Sequence, residues 1–211
     1  MDGNNRWSLK KKISKINAYK VGAKKLIQIS DYLFNKYKIS VISAFALSTH
    51  NLGRSKKFVN IFKSVLNYYL DEYDNFKITY RIKFIGDLSF IKEKSLLKKL
   101  NFIESKNFKS SNTLLIFVNY SGKNDIINAA NLSRDNKFKP PYLSNYLSTK
   151  SFKDPDLLFR TGGFKRISDF MLFQISFTEL FFTKKLWPDI SFKDIDKVLA
   201  SYQKIERKFG L

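Results

Sequence analysis

The sequence predicts an α/β fold, a single domain over residues 1–211 with a mostly parallel central sheet flanked by helices. Three observations carry this reading. Strand-like and helix-like segments alternate along the chain. The strand-like segments are continuous apolar runs, as expected where both faces of a sheet are covered. No repeat, low-complexity tract or linker divides the chain, and 211 residues suit one domain of the larger kind.

Each element follows in order. Residues 14–37 carry Ile16, Ala23, Leu26, Ile27 and Leu33 at helical spacing, with lysine on the other side. Ile39 to Leu47 reads as a strand and runs into the polar loop Ser48 to Ser55. Residues 57–73 read as a helix through Phe58, Ile61, Phe62, Val65, Leu66 and Tyr69. Ile78 to Ile85 reads as a strand that stops at Gly86-Asp87. A helix over 88–103 leads to the strand Leu114 to Val118. Asn119-Tyr120-Ser121-Gly122 turns into a helix over 123–132, and residues 134–141 form a surface loop. Leu157 to Phe159 is a short strand before Arg160-Thr161-Gly162-Gly163. A helix near 168–177, a strand at 180–183 and an amphipathic helix over 192–207 complete the chain.

Composition bounds the function. With 44% hydrophobic residues the chain buries a real core, which excludes intrinsic disorder. Absence of cysteine excludes a disulfide scaffold, a thiolate zinc site and a cysteine nucleophile. The single histidine, His50, excludes histidine-cluster metal sites, and a Ser-His-Asp triad would have to be built on it. No apolar run approaches the roughly 18 residues of a membrane span, and the opening residues lack a signal-peptide pattern.

The net charge of +21 invites a nucleic-acid reading. Its make-up argues otherwise. Seven of the 39 basic residues are arginine (Arg6, Arg54, Arg81, Arg134, Arg160, Arg166, Arg207), so 32 are lysine, spread through the whole chain. Scattered lysine marks composition and solvated faces, and no groove-reading or base-stacking motif accompanies it, so no nucleic-acid partner is expected. Arginine is the sharper witness, because its planar fork meets phosphate oxygens in pairs.

In such folds ligands bind beyond the carboxyl ends of the strands. Asn51 to Arg54, Asn119 to Lys123 and Arg160 to Ser168 fall there, and the chain opens with a further polar turn, Asp2-Gly3-Asn4-Asn5-Arg6-Trp7. Their amide, hydroxyl and guanidinium groups suit oxyanions, and helix N-termini add N–H donors. Taken singly, each is an ordinary αβ turn. Taken together, they point to a site for two phosphate-bearing groups.

These turns, in this order, resemble the cis-prenyltransferases, the family of undecaprenyl diphosphate synthase. Met1 to Trp7 resembles the family's opening motif, and Phe45 to Arg54 its aromatic-Ala-Phe-Ser-Ser/Thr-Glu-Asn-Trp-x-Arg stretch. Asn119 to Lys123 with Asp125 is similar to Asn-Tyr-Gly-Gly-Arg and its following Asp. Asp156 to Gly163 with Arg166-Ile167-Ser168 is similar to the Arg-Thr-Gly-Gly signature. Glu179 to Thr183, Leu186 to Asp189 and the terminal Glu206 to Gly210 follow collinearly. The resemblance implies a Mg²⁺-dependent transferase that joins isopentenyl diphosphate to an allylic diphosphate, typically farnesyl diphosphate, in repeated cis steps. It implies that Asp2 and Glu179 hold the metal and that Gly3, Asn4, Arg6 and Trp7 belong to the allylic diphosphate loop. Lys15 and Tyr19 would support that diphosphate. Arg160, Arg166 and Ser168 would clamp isopentenyl diphosphate. Ser48, Thr49 and Asn51 would lie near the condensing carbons, with Asp2 and Asn51 catalytic, and Arg54 would close the loop over both substrates. The apolar interior would form a tunnel for the growing chain. Also implied are a homodimer and cytoplasmic residence with peripheral contact to membrane lipid.

Departures from the family pattern are specific. Family members begin with an apolar strand before the opening motif; here Met1 stands directly at the motif, so that strand is expected to be absent from this chain, either because the true start lies upstream or because the protein is truncated. Tyr19 replaces a histidine, His50 a glutamate, Leu52 a tryptophan, Phe58 a glutamate of the mobile loop, and Phe164 a glutamate after Gly-Gly. A non-catalytic family member serving a partner subunit is the alternative that these departures motivate.

Overall fold

The computed structural model describes residues 1–53, 56–133 and 140–206. The elements run α1 (Asn4–Lys11), α2 (Lys15–Tyr37), β1 (Val41–Ser48), α3 (Thr49–Leu52), α4 (Lys56–Asp71), β2 (Arg81–Ile85), α5 (Lys94–Ser105) and β3 (Thr113–Tyr120). They continue with α6 (Gly122–Leu132), α7 (Pro140–Leu143), β4 (Leu157–Arg160), β5 (Glu179–Phe182) and α8 (Phe192–Tyr202). Every strand pairing is parallel, as the continuous apolar runs require. The sheet, however, is in two pieces. One has the order β1-β3-β2 and the other pairs β4 with β5. A cavity of about 1850 Å³ lies between them, lined by β1, β4 and helices α2 and α4.

β3 shows why its sequence does not alternate. Leu114 and Val118 join one core cluster, with Leu26 and Ile29 of α2, Ile82 and Phe84 of β2, and Leu100 and Ile103 of α5. Leu115 and Phe117 point the other way, into a second cluster with Tyr120, Phe170 and Met171. Successive side chains therefore both meet protein. α2 is started by Ser14, whose side chain accepts from the Asn17 N–H at 3.2 Å. α2 approaches α1 closely at Gly22, where a Cβ would stand 2.2 Å from the Asn4 side-chain oxygen.

The pairing of β1 with β3 is irregular at the end that carries the loops. Phe45 pairs with Phe117, Leu47 with Val118 and Ser48 with Tyr120, so Ala46 and then Asn119 are extra residues. Bulges of this kind re-aim the side chains beyond them. Asn119 adopts a left-handed backbone (φ 49°) and its side-chain amide donates to the Asp87 carbonyl at 2.9 Å.

Two expectations need correction. Residues 168–177 are not a helix: Ser168, Asp169 and Met171 all have positive φ (53°, 65° and 49°). Asp169 instead serves α6. Its carboxylate accepts from Ser121 Oγ at 2.6 Å and the Lys123 N–H at 3.0 Å, and its carbonyl accepts from the Gly122 N–H at 2.8 Å. Phe170 stacks on Phe45 with ring centroids 4.7 Å apart. Tertiary contacts override the local period. The loop Ser48 to Ser55 contains the short helix α3, and most of the loop expected at 134–141 lies outside the described residues.

α8 opens with a capping box. Ser191 Oγ accepts from the Asp194 N–H, and the Asp194 carboxylate accepts from the Ser191 N–H at 2.9 Å. Burial alone would push the Asp194 carboxyl up, but hydrogen bonds from Lys185 and Ser191 outweigh it and hold it at about 2. A carboxyl lowered on folding stabilises the fold above its ordinary value of 3.8 and loses that contribution as pH falls toward about 2. Ser191→Ala is therefore expected to cost about 1 kcal/mol at neutral pH in chemical denaturation. The destabilisation caused by Asp194→Asn should shrink between about pH 4 and pH 2 and be absent below that.

Candidate active site

The site is built on the backbone of Asp2. Thr161, 1% exposed, follows β4. Its hydroxyl accepts from the Asp2 N–H at 3.0 Å and donates to the Asp2 carbonyl at 2.9 Å. The Trp187 N–H donates to the same carbonyl at 3.0 Å. Two distant parts of the chain are thereby clasped to the opening turn. Gly162 permits the fit: at φ +87°, a Cβ there would lie 2.6 Å from an Arg6 terminal nitrogen and 3.1 Å from Asp2 Cβ. Gly3, also left-handed at φ 113°, caps α1, and a Cβ on it would meet Leu186 at 2.8 Å.

The clasp aims the side chains. Arg160 Nη2 donates to Asp2 Oδ2 at 3.1 Å, and Arg6 Nη2 to Oδ1 at 3.4 Å. Arg160 Nη1 donates to Ser168 Oγ at 2.7 Å and to the Arg166 carbonyl. The left-handed backbone of Ser168 places its hydroxyl in that bond. The Phe164 ring sits among the guanidinium groups, 4.1 Å from Arg166, 5.0 Å from Arg6 and 5.9 Å from Arg160. The first N–H groups of α1 add donors, since a helix leaves those of its first turn without intrahelical partners.

Most of the sequence-derived site residues meet at one cavity. Asp2, Gly3, Asn4 and Arg6 line it from the opening turn, and Lys15 and Tyr19 from α2. Ser48 and Asn51 reach it from the end of β1 and from α3, and Arg160, Arg166 and Ser168 from the turn after β4. Trp7 and Thr49 do not line it. The Trp7 indole instead donates to Asp189 Oδ1 at 2.7 Å, tying α1 to the turn at 187–189. Arg54 lies outside the described residues. Glu179 pairs with Leu157 at the start of β5 and does not line this cavity.

Sequence reasoning missed the role of Thr161, which carries no charge and had only its place in the Arg-Thr-Gly-Gly run to mark it. It also treated Tyr19 and Phe58 as separate departures. Their rings meet edge to face, with centroids 5.7 Å apart, so the two changes form one contact between α2 and α4.

Among the described residues no three His, Cys, Asp or Glu side chains gather as a metal-holding group. Asp2 offers one carboxylate beside forked cations. That donor set fits a magnesium ion held jointly with phosphate oxygens, because Mg²⁺ commonly takes one or two protein carboxylates and substrate phosphates.

A parallel α/β frame that holds forked cations beside a largely apolar cavity defines a protein for oxyanion-headed apolar ligands. Comparison with known proteins narrows that class. A family model described as "Putative undecaprenyl diphosphate synthase" matches residues 1–210. The chain is 38% identical over 227 residues to dehydrodolichyl diphosphate synthase 3 of Arabidopsis thaliana, covering 100% of this chain and 74% of that protein. It is 32% identical over 226 residues to the (2E,6E)-farnesyl-diphosphate-specific ditrans,polycis-undecaprenyl-diphosphate synthase of Coxiella burnetii, covering 100% and 93%. A crystal structure of lavandulyl diphosphate synthase from Lavandula x intermedia, in complex with dimethylallyl diphosphate, superposes with a TM-score of 0.91 at 26% identity, over 100% of this chain and 95% of that one. The chain belongs to the cis-prenyltransferase family, as its motifs indicated. It is a prenyltransferase that carries out cis-prenyl condensation.

If the clasp holds the site together, Thr161→Val should destabilise the fold by about 1–3 kcal/mol, since it leaves the Asp2 N–H without its partner and the Asp2 carbonyl with Trp187 alone. Thr161→Ser, which keeps the hydroxyl, should recover most of that loss in the same denaturation measurement.

Proposed function

We propose that this chain condenses isopentenyl diphosphate with an allylic diphosphate, farnesyl diphosphate as primer, in successive cis steps that yield a Z-polyprenyl diphosphate. One observation carries the reading. Guanidinium groups from two distant parts of the chain, Arg6 and Arg160, converge on one carboxylate at an apolar cavity of about 1850 Å³. Leu26, Leu33, Ile61 and Phe62 are among its lining, an apolar surface that suits a hydrocarbon tail.

In the reaction the allylic C–O bond breaks and its diphosphate departs. The isopentenyl double bond forms a C–C bond to the allylic carbon, and a proton then leaves the isopentenyl unit. Arg6, the first turn of α1 and Lys15 receive the charge that develops on the departing diphosphate. Arg166 and Ser168 hold isopentenyl diphosphate, with Arg160 braced between Ser168 and Asp2. Ser48 and Asn51 stand over the condensing carbons, where an amide and a hydroxyl can orient the proton that is lost. Magnesium, bound through Asp2 and the diphosphate oxygens, would supply further neutralisation of the leaving group. Leu26, Leu33 and Ile61 line the cavity and exclude water from the lengthening chain.

No helix among the described residues is long and apolar enough to cross a membrane. We read the chain as one cytoplasmic domain that works as a homodimer and touches membrane lipid, which its lysine excess favours through anionic headgroups.

Radiolabelled isopentenyl diphosphate with farnesyl diphosphate and magnesium is expected to give polyprenyl diphosphate. Arg160→Lys, which keeps the charge and loses the fork, should lower kcat/KM by about 10²-fold. Asp2→Ala should abolish product. Failure of the unaltered protein to form any product would sink the proposal.

A further inference from the structure

We infer that Phe164 is a positioning residue: its ring gathers the guanidinium groups of Arg6, Arg160 and Arg166 for diphosphate binding without neutralising them. Three like charges repel one another, so something must hold them within reach of one ligand. Asp2 binds two of the three, through Oδ1 to Arg6 and Oδ2 to Arg160. Arg166 is not among its partners, yet it stands nearest the ring, with its guanidinium carbon 4.1 Å from the centroid. Arg6 and Arg160 lie at 5.0 and 5.9 Å, within the range in which an aromatic quadrupole attracts a cation. Phe164 therefore lies within cation–π range of all three cations.

Hydrophobic burial does not explain its place. Phe164 is 41% exposed and belongs to neither core cluster. Nor is its backbone fixed for packing, since it follows two glycines in the left-handed region, Gly162 and Gly163 at φ 87° and 86°. A carboxylate at position 164 could also collect the arginines, but it would cancel one positive charge and compete with phosphate oxygens for their N–H groups. A ring leaves the charge and the donors of the guanidinium plane available to the ligand. The arrangement favours doubly charged diphosphate heads, which need several donors at once, over single carboxylates or monophosphates.

This inference rests on the diphosphate reading above, but its test needs no turnover. Inorganic diphosphate binding to the full chain would be measured by calorimetry in the unaltered protein and in Phe164→Leu, Phe164→Met and Phe164→Tyr. Circular dichroism would verify folding, and the paired aliphatic variants guard against loss of one of them. Loss of the ring should weaken diphosphate binding about 5- to 30-fold, while the tyrosine variant stays within about twofold. In turnover, KM for isopentenyl diphosphate should rise with the aliphatic variants by a similar factor while kcat changes less than about threefold. In spectra of the ligand-free protein, ring-current shifts of arginine Nε–H signals should vanish with the ring. Diphosphate affinity unchanged in both aliphatic variants, or equally reduced in Phe164→Tyr, would overturn the inference. Diphosphate binding without product formation would defeat the proposed reaction and leave the role of Phe164 intact.

Discussion

One threonine hydroxyl holds the arrangement together. Thr161 both accepts from and donates to the backbone of Asp2, and this pair of hydrogen bonds joins the first residues of the chain to the turn after β4. Arg6, one turn into α1, and Arg160, the last residue of β4, can meet on the Asp2 carboxylate only because that backbone is fixed. A surface ion pair between free side chains contributes little. Here the chain has already met the ordering cost in buried backbone bonds, so the cations are placed before any ligand arrives. Preorganisation of that kind is what stabilises charge as it develops in a transition state.

The close approach depends on residues without side chains. Gly162 lies so near Arg6 and Asp2 that a single methyl would crowd a guanidinium nitrogen at 2.6 Å. Gly22 does the same service one layer back, where α2 meets Asn4, and the Trp187 indole donates to its carbonyl at 2.8 Å. The site is thus determined at two depths. Glycines set how near the backbone segments lie, and arginines, a threonine and an aromatic ring occupy the space that remains.

Much of this was legible in the sequence, and the limits have physical causes. The parallel strands were readable because β3 is apolar on both faces, which only a doubly covered sheet permits. Arg160, Arg166 and Ser168 could be assigned to one site because they share a short turn. Residues 168–177 misled, since Phe170, Met171 and Phe173 mimic a helical face while Asp169 is committed to the start of α6. Trp7 and Thr49 were drawn into the site by neighbouring motif letters, and only the packing of α1 on Asp189 shows where the indole goes. For Glu179 the sequence could not supply the register, which pairs it with Leu157 at the start of β5. The division of the sheet and the cavity between β1 and β4 emerged only from the folded arrangement.

The paired irregularities of β1 and β3 constrain how this chain can vary. Ala46 and Asn119 are each one residue out of step, in opposite strands, so the two offsets cancel by the time Ser48 faces Tyr120. Neither strand can gain or lose a residue alone without rotating everything downstream by half a turn of the pleat, which would carry Leu47, 1% exposed, to the face now taken by Ser48. The two strand ends are therefore a matched set, and their lengths can change only in concert, whatever freedom the lysine-rich exterior enjoys.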